Sequence, residues 1–454
     1  MTRISTILCL LISGFLLFIQ TYAQDVQYPG IWQGKLQLPG QELRIVFNIS
    51  KNQNGQLIAK MDSPDQGATN IPVTEVLANE KEIILKVNSI GGVYKGNMQN
   101  DKQTIKGLWK QNNYQFSLNL SKVTSAPEVK RPQEPIKSYP YDEKDISIIN
   151  PEQGITLAGT FTFPKNKIAR AAIILISGSG AQDRDETIFG HKPYLVLADY
   201  LTRKGFAVLR YDDRGIGGST GSLSNSTIED LSTDMIAAVK YLKTSENFDK
   251  CNIGLIGHSE GGWIASLVAT KIPDISFLIL LATPGISGLE IVCDQIANLN
   301  SAMELKEDVV RQNVALQRSI LEIVKNEKDD KIATEKLTDL VPENKQAQIK
   351  TLISVKYRSM ISFDPKSVLK RVKCPVLALN GEKDIQVNSS KNLKAISVAL
   401  EEGGNTTYLT QEIPLVNHLL QTANTGLISE YAKIEETISH HVLELIGDWI
   451  QTRL

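Results

Sequence analysis

Residues 257–261, Gly-His-Ser-Glu-Gly, form the pattern G-x-S-x-G around Ser259. The pattern directly follows an apolar run, residues 253–256, that is typical of a buried strand, and directly precedes a helix that we expect to begin near Gly262. A sharp turn between a strand and a helix exposes a serine hydroxyl at the edge of a sheet, and the flanking glycines leave room for the backbone. The sequence therefore predicts that Ser259 is a nucleophile.

The same pattern occurs a second time in residues 217–221, around Ser219. This copy lies in a loop rich in glycine and serine, well past the preceding predicted strand. Such a composition is typical of turns. We therefore interpret Ser219 as a turn residue.

A serine nucleophile needs a base, and the chain has five histidines. His258 belongs to the turn itself, so its side chain is expected to point away from the serine. His191 precedes the nucleophile, before a predicted helix. His440 and His441 are neighbours on an amphipathic helix and cannot converge on one ligand. His418 follows the last predicted strand, so we predict it to be the base; the alternative is an ordinary loop histidine.

The acid that orients the base is expected between the serine and the histidine in the chain, at the carboxyl end of another strand. The apolar run 375–379 leads into residues 380–384, Asn-Gly-Glu-Lys-Asp. We predict Asp384 as this acid because it lies in the turn beyond the strand. Glu382 is the alternative, and its expected environment is solvent.

A tetrahedral intermediate needs hydrogen-bond donors for its oxyanion. One predicted donor is the backbone N–H of Glu260, the first residue after the nucleophile at a helix N-terminus. The second is expected from the glycine-rich loop 177–180, with Ser179 N–H favoured over Gly180 N–H. Ser177 and Ser179 are less suited as nucleophiles because neither lies between a strand and a helix.

These residues require a mostly parallel sheet flanked by helices, and residues 143–454 have the matching alternation of apolar strands and helical segments. The predicted strands are 145–149, 155–163, 171–176, 207–211, 251–256, 275–281, 375–379 and 406–412. Residues 285–372 separate two of these strands and contain helical runs. We expect this insertion to be a helical cap that acts as a lid over the serine, the alternative being a purely structural excursion.

The region before residue 143 has a different pattern. Residues 25–124 contain about eight short alternating segments separated by turns, which predicts a small antiparallel barrel or sandwich domain. The predicted strands are 30–38, 42–50, 56–61, 71–76, 82–87, 93–98, 104–110 and 114–120. Residues 125–142 contain four prolines among charged residues and are predicted to be a semi-rigid linker.

Residues 1–23 have the features of a secretory signal peptide, with a basic start, a 13-residue apolar run and a small-x-small site ending at Ala23. We therefore expect an exported protein, periplasmic or extracellular, without stable membrane insertion after cleavage. Three cysteines would remain, at 251, 293 and 374, and at least one must be unpaired. Because the first and last of these open strands that lie two positions apart in the predicted sheet, we expect free thiols.

The composition excludes several classes of protein. The 454 residues are 42% hydrophobic and 22% charged, which is ordinary for a globular protein. Lys and Arg number 49 against 50 Asp and Glu, so the chain lacks the basic excess of a nucleic-acid binder. Nothing has zinc-type Cys/His spacing, and we expect neither a metal nor a cofactor.

Taken together, the motifs at 257–261, 177–180, 380–384 and 417–418, with Arg-Tyr-Asp-Asp-Arg-Gly at 210–215, resemble the α/β-hydrolase superfamily. The resemblance is closest to its bacterial serine esterase and aminopeptidase-like branch, and it covers about residues 143–452. It implies an α/β-hydrolase fold and a Ser259–Asp384–His418 triad. In this chain Ser177 stands where many members have His, and the β domain is absent from most members.

The expected activity is cleavage of small-molecule carboxylic esters through an acyl-enzyme. Two alternatives remain open from the sequence. One is hydrolysis of amide or peptide bonds by the same three residues. The other is a glycan- or lipid-binding protein with an inactive hydrolase domain.

Overall fold

A computed structural model describes residues 28–38, 41–111, 114–125, 130–245, 248 and 252–454. The predicted signal peptide, residues 1–23, and Cys251 lie outside the described residues. The chain divides into two compact units. Among the described residues, one unit contains 28–34, Phe47–Met61 and Pro72–Ser125, and the other contains Lys35–Val46, Asp62–Ile71 and Ala126–Leu454. Within the described ranges, no helix has both the length and the apolarity needed to cross a membrane.

The N-terminal strands confirm the predicted all-β architecture and form a single nine-stranded sheet. Their bounds are β1 Gly30–Leu38, β2 Gln41–Lys51, β3 Leu57–Ser63, β4 Ala68–Pro72, β5 Glu75–Ala78, β6 Glu82–Val87, β7 Gly92–Met98, β8 Thr104–Gln111 and β9 Tyr114–Val123. The strand order is β4-β3-β2-β1-β9-β8-β7-β6-β5. The alternation of apolar and polar residues explains why these segments form strands. In β6, Ile83, Leu85 and Val87 are buried and the residues between them are less buried.

One predicted strand, residues 71–76, is divided in the structure. Strand β4 ends at Pro72 and β5 begins at Glu75. Proline has no N–H to donate to a neighbouring strand, so it is suited to the end of β4.

The second sheet has eight strands and confirms the predicted α/β-hydrolase fold. Its strands are β10 Tyr141–Asn150, β11 Ile155–Pro164, β12 Ala172–Ile176, β13 Ala207–Tyr211, β14 Ile253–His258, β15 Ile275–Leu281, β16 Val376–Gly381 and β17 Tyr408–Ile413. Their order is β10-β11-β13-β12-β14-β15-β16-β17. The pairs β10–β11 and β11–β13 are antiparallel, and all pairs from β13 to β17 are parallel.

The central strands are continuous apolar runs because both of their faces are covered by helices. One face packs against α2 and α3, and the other packs against α1 and α12. The helices are α1 Pro193–Arg203, α2 Ile228–Thr244, α3 Glu260–Lys271, α4 Gly288–Ala302, α5 Glu307–Asn326, α6 Asp330–Thr338, α7 Ile349–Leu352, α8 Val355–Ser362, α9 Pro365–Leu369, α10 Ser389–Glu402, α11 Ile428–Tyr431 and α12 His440–Gln451.

The register of the parallel strands aligns their carboxyl ends. Ile176 at the end of β12 pairs with Gly257 in β14, and His258 at the end of β14 pairs with Leu281 at the end of β15. Leu281 in turn pairs with Leu379 near the end of β16. The segments that follow these strands therefore leave the sheet at one edge.

The segment between β15 and β16 is helical, as predicted for the insertion 285–372, and it contains α4 to α9. It has its own small core, which includes Leu289, Leu321 and Leu337. Its role as a lid stays a prediction.

Part of the predicted linker is bonded to the rest of the second unit. The Arg131 guanidinium donates to the carbonyl oxygens of Phe189, Gly190, Ala432 and Ile434 at 2.8–3.2 Å. These bonds fix the backbone near the start of the 130–140 segment.

Two of the predicted thiols are described, and both are free. Cys293 is buried and Cys374 is half-buried. Burial raises the pKa of the Cys374 thiol to about 12, so this thiol is protonated at neutral pH and is a poor nucleophile.

Candidate active site

Ser259 occupies the turn between β14 and α3 with a strained backbone. Its φ is 51° and its ψ is −120°, a conformation that is uncommon for a residue with a side chain. Its N–H donates to the carbonyl of Leu281 at 2.8 Å. Strain of this kind costs on the order of 1–3 kcal/mol and is concentrated at functional sites.

The glycines of the turn are required by close contacts. A Cβ on Gly261 would lie 2.1 Å from the Ile176 carbonyl oxygen, and a Cβ on Gly257 would lie 2.3 Å from the Gly261 oxygen. Both distances are too short for a carbon atom. The sharp strand–helix turn therefore depends on these two glycines.

His418 and Asp384, predicted from separate loops, are in hydrogen-bond contact. His418 Nδ1 lies 2.8 Å from Asp384 Oδ2. The other carboxylate oxygen accepts the N–H groups of Gln386 and Val387, both at 2.8 Å. Because Asp384 and His418 are buried, this network fixes the orientation of the imidazole.

Glu382, the alternative acid, has a different partner. Its Oε2 accepts the N–H of Leu415 at 2.9 Å, and the residue is largely exposed to solvent. The structure brings His418 to Asp384 rather than to Glu382.

Ser259 and His418 line the same cavity, which has a volume of about 240 Å³. The lining residues are Gly178, Ser179, Gln182, Glu186, Ile188, Phe189, His258, Ser259, Gln386, His418, Leu419 and Ile428. None of these lies in the predicted cap, residues 285–372. The lining combines polar residues with apolar ones such as Ile188 and Leu419, which is typical of a small-molecule site.

The loop after β12 contributes Gly178 and Ser179 to this cavity. The N–H of Gly178 is already used, because it donates to Glu186 Oε1 at 2.8 Å. Gly180, the less favoured of the two predicted donors, lines a separate cavity of only about 10 Å³ together with Asp213 and Glu260. Of the predicted donors, Ser179 lines the larger of these two cavities, whereas Gly180 and Glu260 line the smaller one.

Glu260 begins α3, where backbone N–H groups have no partner within the helix. Its buried side chain forms an ion pair with Lys356 of α8. Through this pair the helical insertion 285–372 contacts the residue that follows Ser259. The sequence motifs did not predict this contact.

His258 has both ring nitrogens engaged. Nδ1 lies 2.9 Å from Glu186 Oε1, and Nε2 lies 3.0 Å from the carbonyl oxygen of His418. His258 also lines the cavity, and the expectation that its side chain points away from the serine stays a prediction. Glu186 was not predicted, and no spacing in the sequence links it to His258, which lies 72 residues further along the chain.

Asp213 lies in the 210–215 motif, but no role was predicted for it. Burial raises its pKa to about 7 against the lowering effect of two hydrogen bonds. These come from Gln182 N–H to Oδ2 and from Ser177 Oγ to Oδ1, both at 3.0 Å. Asp213 thus anchors both ends of the loop that contains Ser179.

Ser219 and His191 are held by other hydrogen bonds of the second unit. Ser219 donates its hydroxyl to the Asp212 carbonyl at 2.7 Å and accepts the Ala158 N–H at 2.9 Å. His191 is buried against Tyr431 and Thr437, and burial lowers its pKa to about 4. His440 and His441 are exposed on α12. Within the described ranges, no group of three or more His, Cys, Asp or Glu side chains is arranged to hold a metal.

A protein-family model matches part of the second unit. Residues 191–408 match the family model described as "Serine aminopeptidase, S33". The matched span includes Ser259 and Asp384 and ends before His418. Together with the sheet topology, the match confirms the resemblance predicted from the sequence: residues of the second unit form an α/β-hydrolase domain.

Two relatives indicate the range of proteins that share this domain. Esterase EstD from Thermotoga maritima is 28% identical over 250 residues, which are 54% of this chain and 53% of EstD. An acyl transferase from Shewanella woodyi is 34% identical over 133 residues, 29% of this chain and 40% of that protein. The chain therefore matches about half the length of EstD.

Similar solved structures include esterase Pf2001 from Pyrococcus furiosus, with a TM-score of 0.43 and 16% identity, covering 69% of this chain and 93% of that chain. Est1E from Butyrivibrio proteoclasticus, with ferulic acid bound, has a TM-score of 0.41 and 21% identity, covering 68% of this chain and 98% of that chain.

Proposed function

We propose that this chain is a serine hydrolase that cleaves carboxylic esters of small molecules through an acyl-enzyme on Ser259. The observation that carries the proposal is a single cavity lined by Ser259 and by His418, whose Nδ1 lies 2.8 Å from Asp384. A nucleophile, a base and a group that orients the base are the minimum set for this chemistry.

In the proposed acylation, Ser259 Oγ attacks the ester carbonyl and His418 Nε2 takes the hydroxyl proton. Asp384 holds the hydrogen on Nδ1, so that Nε2 is the free acceptor, and it stabilises the imidazolium. The tetrahedral intermediate then expels the alcohol, which takes the proton from His418. Water, deprotonated by the same nitrogen, then attacks the acyl carbon. The bond from this carbon to Ser259 Oγ breaks, Oγ takes the proton back from His418, and the carboxylic acid leaves.

The N–H groups of Glu260 and Ser179 are proposed to stabilise the oxyanion. Glu260 is the first residue of α3 and directly follows Ser259, and Ser179 lines the cavity of Ser259 and His418 within a loop held by Asp213. Donors that are fixed before the reaction need no reorganisation, and one such donor typically contributes about 3–4 kcal/mol to stabilising the transition state.

The description of one relative supports the choice of esters. EstD, which is 28% identical over 250 residues, is described as an esterase. No metal or cofactor is needed for the proposed steps.

Hydrolysis of p-nitrophenyl esters by the purified protein tests the proposal. We expect turnover by the unaltered chain and a loss on the order of 10⁴-fold or more in His418→Ala. The matched control is His440→Ala, an exposed histidine on α12, which should retain full turnover. Equal activity of the two variants would remove His418 from the mechanism.

Cleavage of amide or peptide bonds is a second candidate because the matched family is described as a serine aminopeptidase. The same three residues would perform it. Turnover of amino-acid p-nitroanilides compared with p-nitrophenyl esters, measured on one preparation, separates the two. A higher kcat/KM on the anilides would replace the ester assignment.

An inactive hydrolase domain in a glycan- or lipid-binding protein is the alternative from another class. A folded protein that hydrolyses neither substrate type would favour it.

We further propose that the protein is exported after cleavage near Ala23. N-terminal sequencing of the protein recovered from a bacterial periplasm would then begin at Gln24, and recovery from the cytoplasm with residues 1–23 intact would contradict export.

A further inference from the structure

A buried acid–imidazole pair, Glu186 and His258, lies between the two loops of the proposed mechanism. Glu186 Oε1 accepts the Gly178 N–H at 2.8 Å and lies 2.9 Å from His258 Nδ1. On the other side, His258 Nε2 lies 3.0 Å from the carbonyl oxygen of His418. A continuous chain of hydrogen bonds thus connects the glycine-rich loop 177–180, called the oxyanion loop below, to the backbone of the proposed base.

The protons of this chain follow from its acceptors. A carbonyl oxygen carries no hydrogen, so His258 Nε2 must be the donor to His418. The carboxylate on the other side also needs a hydrogen between it and Nδ1. A neutral imidazole has only one N–H, so the pair holds a second proton and is most simply an imidazolium beside a carboxylate.

The surroundings are consistent with this charged form. Burial by itself lowers the pKa of His258, but the charge and hydrogen bond of Glu186 and the His418 carbonyl raise it, and the net shift is upward. Glu186 and His258 are both buried, at 3% and 7% exposure. Removing one partner of a buried ion pair is costly, because it leaves an uncompensated buried charge.

The position of the pair distinguishes it from an ordinary buried ion pair. Its bonds end on Gly178, the neighbour of Ser179, and on His418 itself. The pair therefore fixes the separation between the proposed oxyanion donor and the proposed base, while His258 is covalently joined to Ser259.

We propose, on the basis of the function proposed above, that Glu186 and His258 are positioning residues that hold the oxyanion loop and His418 in register around Ser259. They do not touch the reacting atoms in this role. A displacement of about 1 Å between reacting groups can cost on the order of 10²-fold in rate, so the pair affects kcat rather than substrate affinity.

Steady-state kinetics on a p-nitrophenyl ester, with thermal unfolding of each variant, tests the proposal. In Glu186→Gln and in His258→Gln we expect kcat to fall about 10- to 100-fold, with KM changed less than about threefold. Because both substitutions break one chain of bonds, the double variant should be no slower than the slower single variant.

The matched control is Asp234→Asn, which neutralises another buried carboxylate. Asp234 is paired with Arg214 at 2.6 Å and does not line the larger cavity. Asp234→Asn should lower the thermal midpoint and leave kcat per folded molecule unchanged. If Glu186→Gln behaves in this same way, or if the two single effects multiply in the double variant, the pair has no positioning role.

If Glu186→Gln does not fold, the smaller substitution Glu186→Asp tests the same proposal. Glu186→Asp retains the charge but withdraws the carboxylate by one methylene, so it cannot reach both Gly178 N–H and His258 Nδ1. A lowered kcat in folded Glu186→Asp supports the proposal, and an unchanged kcat overturns it. Failure of the proposed function would look different, since the unaltered protein itself would then lack ester turnover.

Discussion

Segments 257–261 and 217–221 contain the same spacing of glycines around a serine, but their serines have opposite environments. Ser259 lies between a parallel strand and a helix, with φ at 51° and its side chain on a cavity shared with His418. Ser219 is buried in a loop, where its hydroxyl bonds to the backbone of Asp212 and Ala158.

The difference lies in what precedes each segment. Strand β14 ends beside β12 and β15, so its following residue emerges among other strand ends. The second segment begins several residues after β13, and its serine satisfies backbone groups that the loop would otherwise leave unpaired. A motif of five residues thus gains chemical meaning only from the element before it.

Removing each hydroxyl gives the largest expected contrast. Ser259→Ala should lower ester turnover by about 10⁴- to 10⁶-fold and leave the thermal midpoint within a few degrees. Ser219→Ala should retain turnover per folded molecule and lose about 1–3 kcal/mol of unfolding free energy, because the Ala158 N–H loses its acceptor. Initial rates and urea titrations of both variants measure this. If turnover were lost in Ser219→Ala and kept in Ser259→Ala, Ser219 would be the nucleophile.

The two acids of the 380–384 turn give the next contrast. Asp384→Asn should lower kcat on the order of 10⁴-fold, because the amide cannot hold His418 in the required tautomer. Glu382→Gln, its isosteric control in the same turn, should change kcat less than about threefold, since Glu382 bonds only to the Leu415 N–H. A larger effect in Glu382→Gln would mean that the acid is misassigned.

A methyl group at the last glycine of each segment extends the comparison to the backbone. Gly261→Ala would place a carbon 2.1 Å from the Ile176 oxygen, so we expect the turn to shift and kcat per folded molecule to fall on the order of 10²-fold. Gly221→Ala, at φ 94°, should cost stability through backbone strain and leave kcat unchanged. Kinetics of the two variants, corrected for the folded fraction, test these expectations. An unaltered kcat in Gly261→Ala would show that catalysis does not depend on the exact position of the turn.

The last prediction concerns the pH dependence of stability and Asp213, which lies just before the second segment. Its pKa is raised by burial to about 7 from 3.8, so between these values the folded chain keeps a proton that the unfolded chain releases. This group therefore lowers the free energy of unfolding as pH rises from about 4 to 7, with no further change above. Asp213→Asn should gain stability relative to the unaltered chain over this window, measured by urea titration. A difference independent of pH would contradict the raised pKa.

Much of the architecture follows from local sequence. The continuous apolar runs predicted at 207–211 and 275–281 are strands with those bounds, because strands covered on both faces have a simple signature. The bounds of other elements differ by a few residues, and the predicted strand 71–76 is divided near Pro72, where a missing N–H interrupts the ladder.

The site was less accessible to prediction. Ser259, Asp384 and His418 each follow a recognisable strand, and their catalytic roles stay predictions. The Glu186–His258 pair, the Lys356–Glu260 pair and Asp213 depend on side chains brought together from distant positions, and no local pattern specifies such contacts. The same holds for Arg131, whose bonds to four carbonyl groups could not be anticipated from a proline-rich segment.

The most direct test of the account is reaction of the folded protein with a fluorophosphonate, followed by mass mapping of the modified peptide. The account predicts one adduct per chain, on Ser259, which is lost in Ser259→Ala and retained in Ser219→Ala. An adduct on another serine, or ester turnover by a protein that forms no adduct, would contradict it.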